Sequence, residues 1–214
     1  MRVIAREGYP FVVIPAAAGL LVFFFGYWSF ALTLWLLGLA CVGFFRDPRR
    51  SSDAPADAIL APADGKVLLV GSAPAALAAR GLPQQVSIFM SPANVHVNRA
   101  PIAGTVREAS YTQGAKLPAF RDKASELNEH SFVVIEGETG TVAYKQIAGA
   151  IARRVVCDLK EGDAVARGQR VGIIKFSSRV DLFLPAQAVI ELQPGQRTQA
   201  GVTVVGHLAK ASAT

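Results

Sequence analysis

Four short stretches concentrate side chains that could do chemistry. The first is "GIIKFSSRVDLFLP", Gly172 to Pro185. Ile173, Ile174, Phe176, Val180, Leu182, Phe183 and Leu184 suit a strand, yet Ser177, Ser178, Arg179 and Asp181 interrupt it. Two adjacent hydroxyls there serve either a turn between strands or a point at which the backbone itself reacts. The second, "APADGKV", brackets Asp64 between Pro62 and Gly65. On its own it reads as an ordinary Asp-Gly turn. The third, "SPANVHVNRAPIAG", sets His96, Asn98 and Arg99 between prolines. A histidine moves protons near neutral pH, and a guanidinium pairs with phosphate or carboxylate through two parallel hydrogen bonds. The fourth, "DKASELNEH", gathers Glu126, Asn128, Glu129 and His130. Taken alone, it is a solvated loop.

The elements that must position these groups differ sharply along the chain. Hydrophobic residues make up 51% of the 214 residues, and the mean hydropathy of +0.34 is high for a soluble domain. The excess lies between Phe11 and Phe45, a run without a charged residue. One straight helix of that length would rise about 50 Å, against about 30 Å for a hydrocarbon core. The Gly26-Tyr27-Trp28-Ser29 cluster divides it, so residues 1–45 read as an apolar helical hairpin with that cluster as its tip. The run is too long for a cleaved signal peptide and Glu7 precedes it, so retention is expected. Arg2 and Arg6 come before it, and Arg46, Arg49 and Arg50 after it. Positive flanks at both ends put both on the cytoplasmic side of the inner membrane.

Residues 46–58 are polar and Pro-rich, a linker. From 59 to 214, short runs rich in Val, Ile, Thr and aromatics alternate with Gly, Pro and Asp, so this part is mainly β (α+β), a sandwich or barrel-like domain. "EGETGT", Glu136 to Thr141, is a hairpin turn, and Ala73 to Leu82 is the one helical stretch expected here. Strands do not alternate with long helices, which argues against a doubly wound nucleotide-binding fold, and no Gly-rich phosphate-binding motif occurs. The balance of 22 Lys+Arg against 16 Asp+Glu fits an anionic lipid surface. Nucleic acid is not expected, since no basic-aromatic RNA motif or recognition helix accompanies the charge. Cys41 and Cys157 are isolated, which points away from a disulfide framework and from a metal site.

Taken in order, "FFRDPRR", "APADGKV", "MSPANVHVNRAPIAGTV", "DKASELNEH", "IAGAIARRVVC", "EGDAVARGQRVGIIKFSSRVDLFLP" and "VTVVGHL" resemble the phosphatidylserine decarboxylase proenzymes, in their short bacterial and archaeal form. The resemblance covers nearly the whole chain. It implies a self-processing enzyme with a covalent pyruvoyl group in place of pyridoxal phosphate, and no metal. By it, the Ser178 hydroxyl attacks the carbonyl of residue 177, elimination frees the upstream chain, and Ser178 becomes the pyruvoyl that forms a Schiff base with the substrate amine. Residues 1–177 then form a β chain and residues 178–214 an α chain. The family carries Gly where this chain has Ser177, and a Cβ there restricts the backbone of a tight turn. Asp64 matches the acidic residue thought to help activate the serine, and His96 matches a histidine of the loop motif. The long-type members have a second histidine where Arg99 stands, so either His96 serves both proton transfers or His130 substitutes. Arg99, Asn98 and His130 are the candidate substrate contacts. The partners implied are phosphatidylserine, anionic membrane lipid and the chain's own two fragments, with a homo-oligomer left open.

A biotinyl or lipoyl carrier is the rival reading. "EGDAVARGQRVGIIKF" has the look of a carrier β domain, and "DKA" around Lys123 echoes an attachment site. A carrier lysine needs a hairpin tip between regular strands, and "SELNEH" follows Lys123 instead. A membrane-anchored relative that no longer processes is the other alternative.

Overall fold

A computed structural model describes residues 3–115, 117, 124–149, 154–175 and 178–208. The chain forms two compact units, Met1–Arg49 and Arg50–Thr214.

The first unit is a helical hairpin. Helix α1, Tyr9–Phe24, follows one 3-10 turn at Arg6–Gly8, and α2 spans Trp28–Phe44. Gly26 adopts a left-handed φ of 81°, the backbone that commonly terminates a helix. The tip is therefore Phe25 to Tyr27, and the chain is helical again by Trp28, the third residue of the cluster read as the tip. Both helices are apolar all round, so small residues set how they meet. The Trp35 indole donates to the Ala16 carbonyl at 3.3 Å, and a Cβ on Gly19 would lie 2.5 Å from the same indole nitrogen. Arg6–Phe24 is long and apolar enough to cross a membrane, whereas Trp28–Phe44 is shorter. Leu20, Leu21, Phe24, Leu36, Leu37 and Leu39 are exposed.

The second unit is mainly β. Its strands are β1 (Ala58–Leu60), β2 (Gly65–Ser72), β3 (Gln84–Met90), β4 (Val97–Arg99), β5 (Gly104–Thr112), β6 (His130–Gly137), β7 (Gly140–Ala148), β8 (Arg154–Cys157), β9 (Ala164–Val165), β10 (Arg170–Lys175), β11 (Ser178–Leu184), β12 (Ala188–Ile190), β13 (Arg197–Thr198) and β14 (Val204–Leu208). A curled antiparallel sheet runs β13-β2-β3-β11-β7-β6-β5-β9, and two three-stranded sheets run β1-β14-β12 and β4-β10-β8. The "EGETGT" turn is the β6–β7 hairpin, closed at Gly137 and Gly140. The expected helix at 73–82 contains only α3, Ala75–Ala78. A further turn, α4 at Ala124–Leu127, lies in the stretch read as a loop.

The interior strand β11 is hydrogen-bonded to β3 on one edge and β7 on the other, and all seven of its residues are buried. Alternation sends successive side chains to opposite faces. Val180, Leu182 and Leu184 enter the main core with Val86, Ile88 and Val133. Phe183 joins a smaller cluster with Leu82, Phe132, Val134 and Ala143 on the other face. A strand covered on both faces reads as a nearly continuous apolar run, which is what surrounds Arg179 and Asp181.

Strand β10 ends at Lys175 in one sheet, and β11 begins at Ser178 in another. The chain therefore leaves one sheet at Lys175 and enters another at Ser178. Leu182→Ala should cost about 2–5 kcal/mol in urea unfolding, as a fully buried leucine. Leu69→Ala, on a side chain 43% exposed, should cost under about 1 kcal/mol. Equal losses would contradict the burial described for β11.

Candidate active site

Ser178 opens β11 and is fully buried. Its register partners are Met90, the last residue of β3, and Ala148, the last of β7. The Ser178 hydroxyl lies 3.2 Å from the Met90 sulfur, a weak acceptor. From Met90 the chain continues through the loop that bears His96, which is also fully buried. The imidazole Nδ1 meets the Asn94 carbonyl at 3.0 Å. A carbonyl only accepts, so Nδ1 carries a proton, and in the neutral ring the lone pair lies on Nε2. The His96 carbonyl in turn accepts from the Ile174 amide at 3.3 Å. That bond ties the histidine loop to β10, close before the junction with β11.

Asn98 is sealed beneath the same region. Its Oδ1 accepts from Gln146 at 2.8 Å, and its Nδ2 points to the Pro62 carbonyl at 3.4 Å and to the Met90 sulfur at 3.7 Å. Gln146 accepts from the Ser131 hydroxyl at 2.7 Å. Ser131, Gln146, Asn98 and Met90 thus form a buried polar chain ending at Ser178. It fixes the thioether against which the serine rests. Asn98, expected as a substrate contact, has both ends of its amide engaged within the protein.

Asp64 lies in the turn before β2, 7% exposed. Arg50 grips its carboxylate with both terminal nitrogens, Nη1 to Oδ1 and Nη2 to Oδ2, the latter at 2.8 Å. Oδ1 also accepts from the Ala200 amide at 2.8 Å. Gly65 follows because β2 and β3 touch here: a Cβ on it would sit 2.1 Å from the Phe89 carbonyl. Arg99 closes β4, donates to the Gly168 carbonyl at 3.1 Å and packs beside Gly201. There φ is +70°, and an added Cβ would lie 2.7 Å from the arginine Cδ.

His130 belongs to the other face of the large sheet. It registers with Ile147, which registers with Arg179, so its side chain shares the Arg179 side of the sheet and not that of Ser178. It opens on a cavity of about 400 Å³ lined in part by Leu77, Arg80, Ser125, Phe132 and Lys145. Burial holds the His130 imidazole below its ordinary range; the Asn128 carbonyl opposes this and Lys145 adds to it. On this face Arg179 pairs with Asp181 at 2.6 Å and donates to the Ser87 hydroxyl at 2.9 Å, while Ser125 donates to Asp181 at 2.7 Å. The charges that interrupt the apolar run are thus paired with each other inside the protein, as buried charges must be.

Ser177, Asp122 and Lys123 lie outside the described residues, and so does the side chain of Glu126. Asn128 and Glu129, members of a stretch that looks solvated, are buried. Asn128 donates to the Leu117 and Ala148 carbonyls at 2.7 and 2.6 Å, and Glu129 accepts from the Val155 amide at 2.9 Å. They brace the end of β7 beside Ser178. Arg50, Met90 and Gln146 were missed as site residues. Arg50 reads from sequence as one more positive flank, and Met90 and Gln146 as strand filling. Met90 could have been flagged, because it directly precedes the histidine loop.

A relative in Magnetococcus marinus is 46% identical over 96% of this chain and 95% of its own. One in Burkholderia cenocepacia is 42% identical, covering 96% of each chain. One in Paraburkholderia phytofirmans is 43% identical over 96% of this chain and 97% of its own. Each is named a phosphatidylserine decarboxylase proenzyme. These relatives and the family profile displace the carrier reading of Lys123. With that profile matching residues 37–206, the chain belongs to the phosphatidylserine decarboxylase family.

Proposed function

We propose that this protein decarboxylates phosphatidylserine to phosphatidylethanolamine, using a pyruvoyl group made from its own Ser178. The observation that carries the reading is Ser178 itself, a buried hydroxyl at the head of an interior strand where the chain passes between two sheets. In processing, the Ser178 oxygen adds to the carbonyl carbon of residue 177 and the amide becomes an ester. Loss of the Ser178 α-proton then expels residues 1–177 with a new carboxylate. Water finally takes the place of nitrogen, and ammonia leaves.

The site suits the product. Among the described residues, the Ser178 hydroxyl meets a thioether, so its addition to the residue 177 carbonyl and its departure within the new carboxylate break no strong hydrogen bond. A pyruvoyl carbonyl supplies the acceptor for the electron pair left behind when carbon dioxide departs. The remaining tasks fall to ordinary side chains. His96, with its lone pair on Nε2, is the candidate to take the hydroxyl proton in processing and to deliver one to the substrate α-carbon. Asp64 assists the first step, and Arg99 is the candidate for the lipid phosphate or carboxylate. Asn98 holds Met90 and the loop in place. His130 stands across the sheet, with Ser125 and Lys145 around its cavity, and suits a role in substrate contact better than one in cleavage.

Cleavage leaves the sheets connected. Strand β11 remains bonded to β3 and β7, β13 to β2, and β14 to β1. An α chain of residues 178–214 is thus held to a β chain of residues 1–177 without a covalent link. The apolar helices and the arginines flanking them support attachment to the inner membrane, with the β unit on its cytoplasmic face.

Freshly purified protein should show two fragments by intact mass, the smaller carrying the mass of a pyruvoyl end, and the two should co-elute under native conditions. Ser178→Ala should remain one chain without activity; a split Ala variant would move the cleavage site elsewhere. His96→Ala should slow lipid headgroup conversion and, in part, cleavage, whereas His130→Gln should cleave at the parent rate. The reverse pattern would transfer the proton role to His130. Deleting residues 1–45 should preserve turnover of detergent-dispersed phosphatidylserine and lower turnover on bilayers. Equal loss on both substrates would rule out a purely anchoring hairpin.

A further inference from the structure

We propose that Arg50 is a positioning residue for self-cleavage, acting through Asp64. The inference rests on the reading that Asp64 takes part in processing. Arg50 is the first residue of the β unit. Its guanidinium meets the Asp64 carboxylate fork to fork, and the two side chains are each 10% exposed. Nη1 also donates to the Ala200 carbonyl at 3.0 Å, while the Ala200 amide donates back to Asp64 at 2.8 Å. These bonds close a ring through three chain segments that are distant in sequence.

The ring lies beside the cleavage row. Asp64 immediately precedes Gly65, whose backbone is pressed against the Phe89 carbonyl. The next residue, Lys66, registers with Phe89, which registers with Arg179. A change in the Asp64 turn therefore reaches β11 across a single intervening strand, next to Ser178. Two carboxylate oxygens, one fork and one backbone amide together leave the carboxylate a single orientation. Lysine would retain the charge but lose the two-to-two geometry. Glutamine would leave a buried carboxylate without its countercharge. Arg50 and Asp64 belong to the β chain and Ala200 to the α chain, so the ring also spans the two products of cleavage.

The test follows cleavage of full-length chains made by cell-free synthesis, on denaturing gels, with thermal unfolding of each variant measured in parallel. The set is Arg50→Gln, Arg50→Lys, Asp64→Asn and the Arg50→Gln/Asp64→Asn pair. Arg50→Gln should slow cleavage by roughly ten- to a hundredfold, the scale expected when a reacting constellation is displaced by about an ångström. Arg50→Lys should recover part of the rate. The double variant should cleave no more slowly than Asp64→Asn alone, because Arg50 would have nothing left to position. Cleavage of Asp64→Asn at the parent rate would overturn the reading of Asp64, and this proposal with it. Slow Asp64→Asn beside parent-rate Arg50→Gln would overturn the proposal alone. So would a double variant slowed by the product of the two single effects. Should Arg50→Gln not fold, Arg50→Lys and the double variant, which has no buried lone charge, decide by the same comparison.

Discussion

The double hydrogen-bond ladder of β11 is the constraint on which the rest depends. The strand is paired on both edges and buried on both faces, so its first residue has little freedom to choose its surroundings. Ser178 is aligned with Met90 and Ala148 by backbone geometry, before any side-chain contact acts. The polar chain from Ser131 through Gln146 and Asn98 then fixes Met90, and the bracing by Asn128 fixes Ala148. Reactivity at a backbone position needs this order of construction. A side chain can be re-aimed by a rotamer change, but a peptide bond moves only with its strand.

The same ladder divides the chemistry between two faces. Strand alternation sends Ser178 toward Met90 and the main core, and sends Arg179 and Asp181 to the opposite side with Ser87, Ser125 and His130. Two histidines that look interchangeable in the sequence are therefore not equivalent. His96 is carried by the loop that continues β3 past Ser178 and is tied to β10. His130 opens on a cationic, partly apolar cavity across the sheet. Its neutral form is favoured by burial.

Much of this was legible in the sequence, for identifiable reasons. The β character of the second unit followed from β-branched runs punctuated by Gly and Pro, and the β6–β7 hairpin from its glycines. The stretch around Ser178 stood out because it places polar groups where local patterning calls for apolar ones, whereas the other three candidate stretches gained meaning only from their order along the chain. What could not be read were pairings between distant segments. Nothing near Arg50 announces Asp64, and nothing near Asp64 announces Ala200, since such partners are chosen by strand order. Asn128 and Glu129 looked solvated because a polar run is ordinarily exposed; here they are buried where they cap the ends of neighbouring strands. The apparent conflict at Arg179 and Asp181 has the same source, because residues two apart share a face and can neutralise one another out of sight of solvent.

The passage between sheets at residues 175 to 178 has a consequence for the life history of the molecule. Before the cut, every strand belongs to one thread, and folding is a first-order search whose success does not depend on concentration. Were the chain cut before Ser178, strands of a 37-residue piece would be interleaved with those of a much longer one, only the β4-β10-β8 sheet would lie wholly within one piece, and recovery from full denaturation would become a second-order encounter between two fragments. A protein processed in this way would be preserved by the slowness of its unfolding and not by its capacity to reassemble. Such a cut would act as a ratchet: the assembled form would be reached from the precursor, by a path that the two fragments could not retrace.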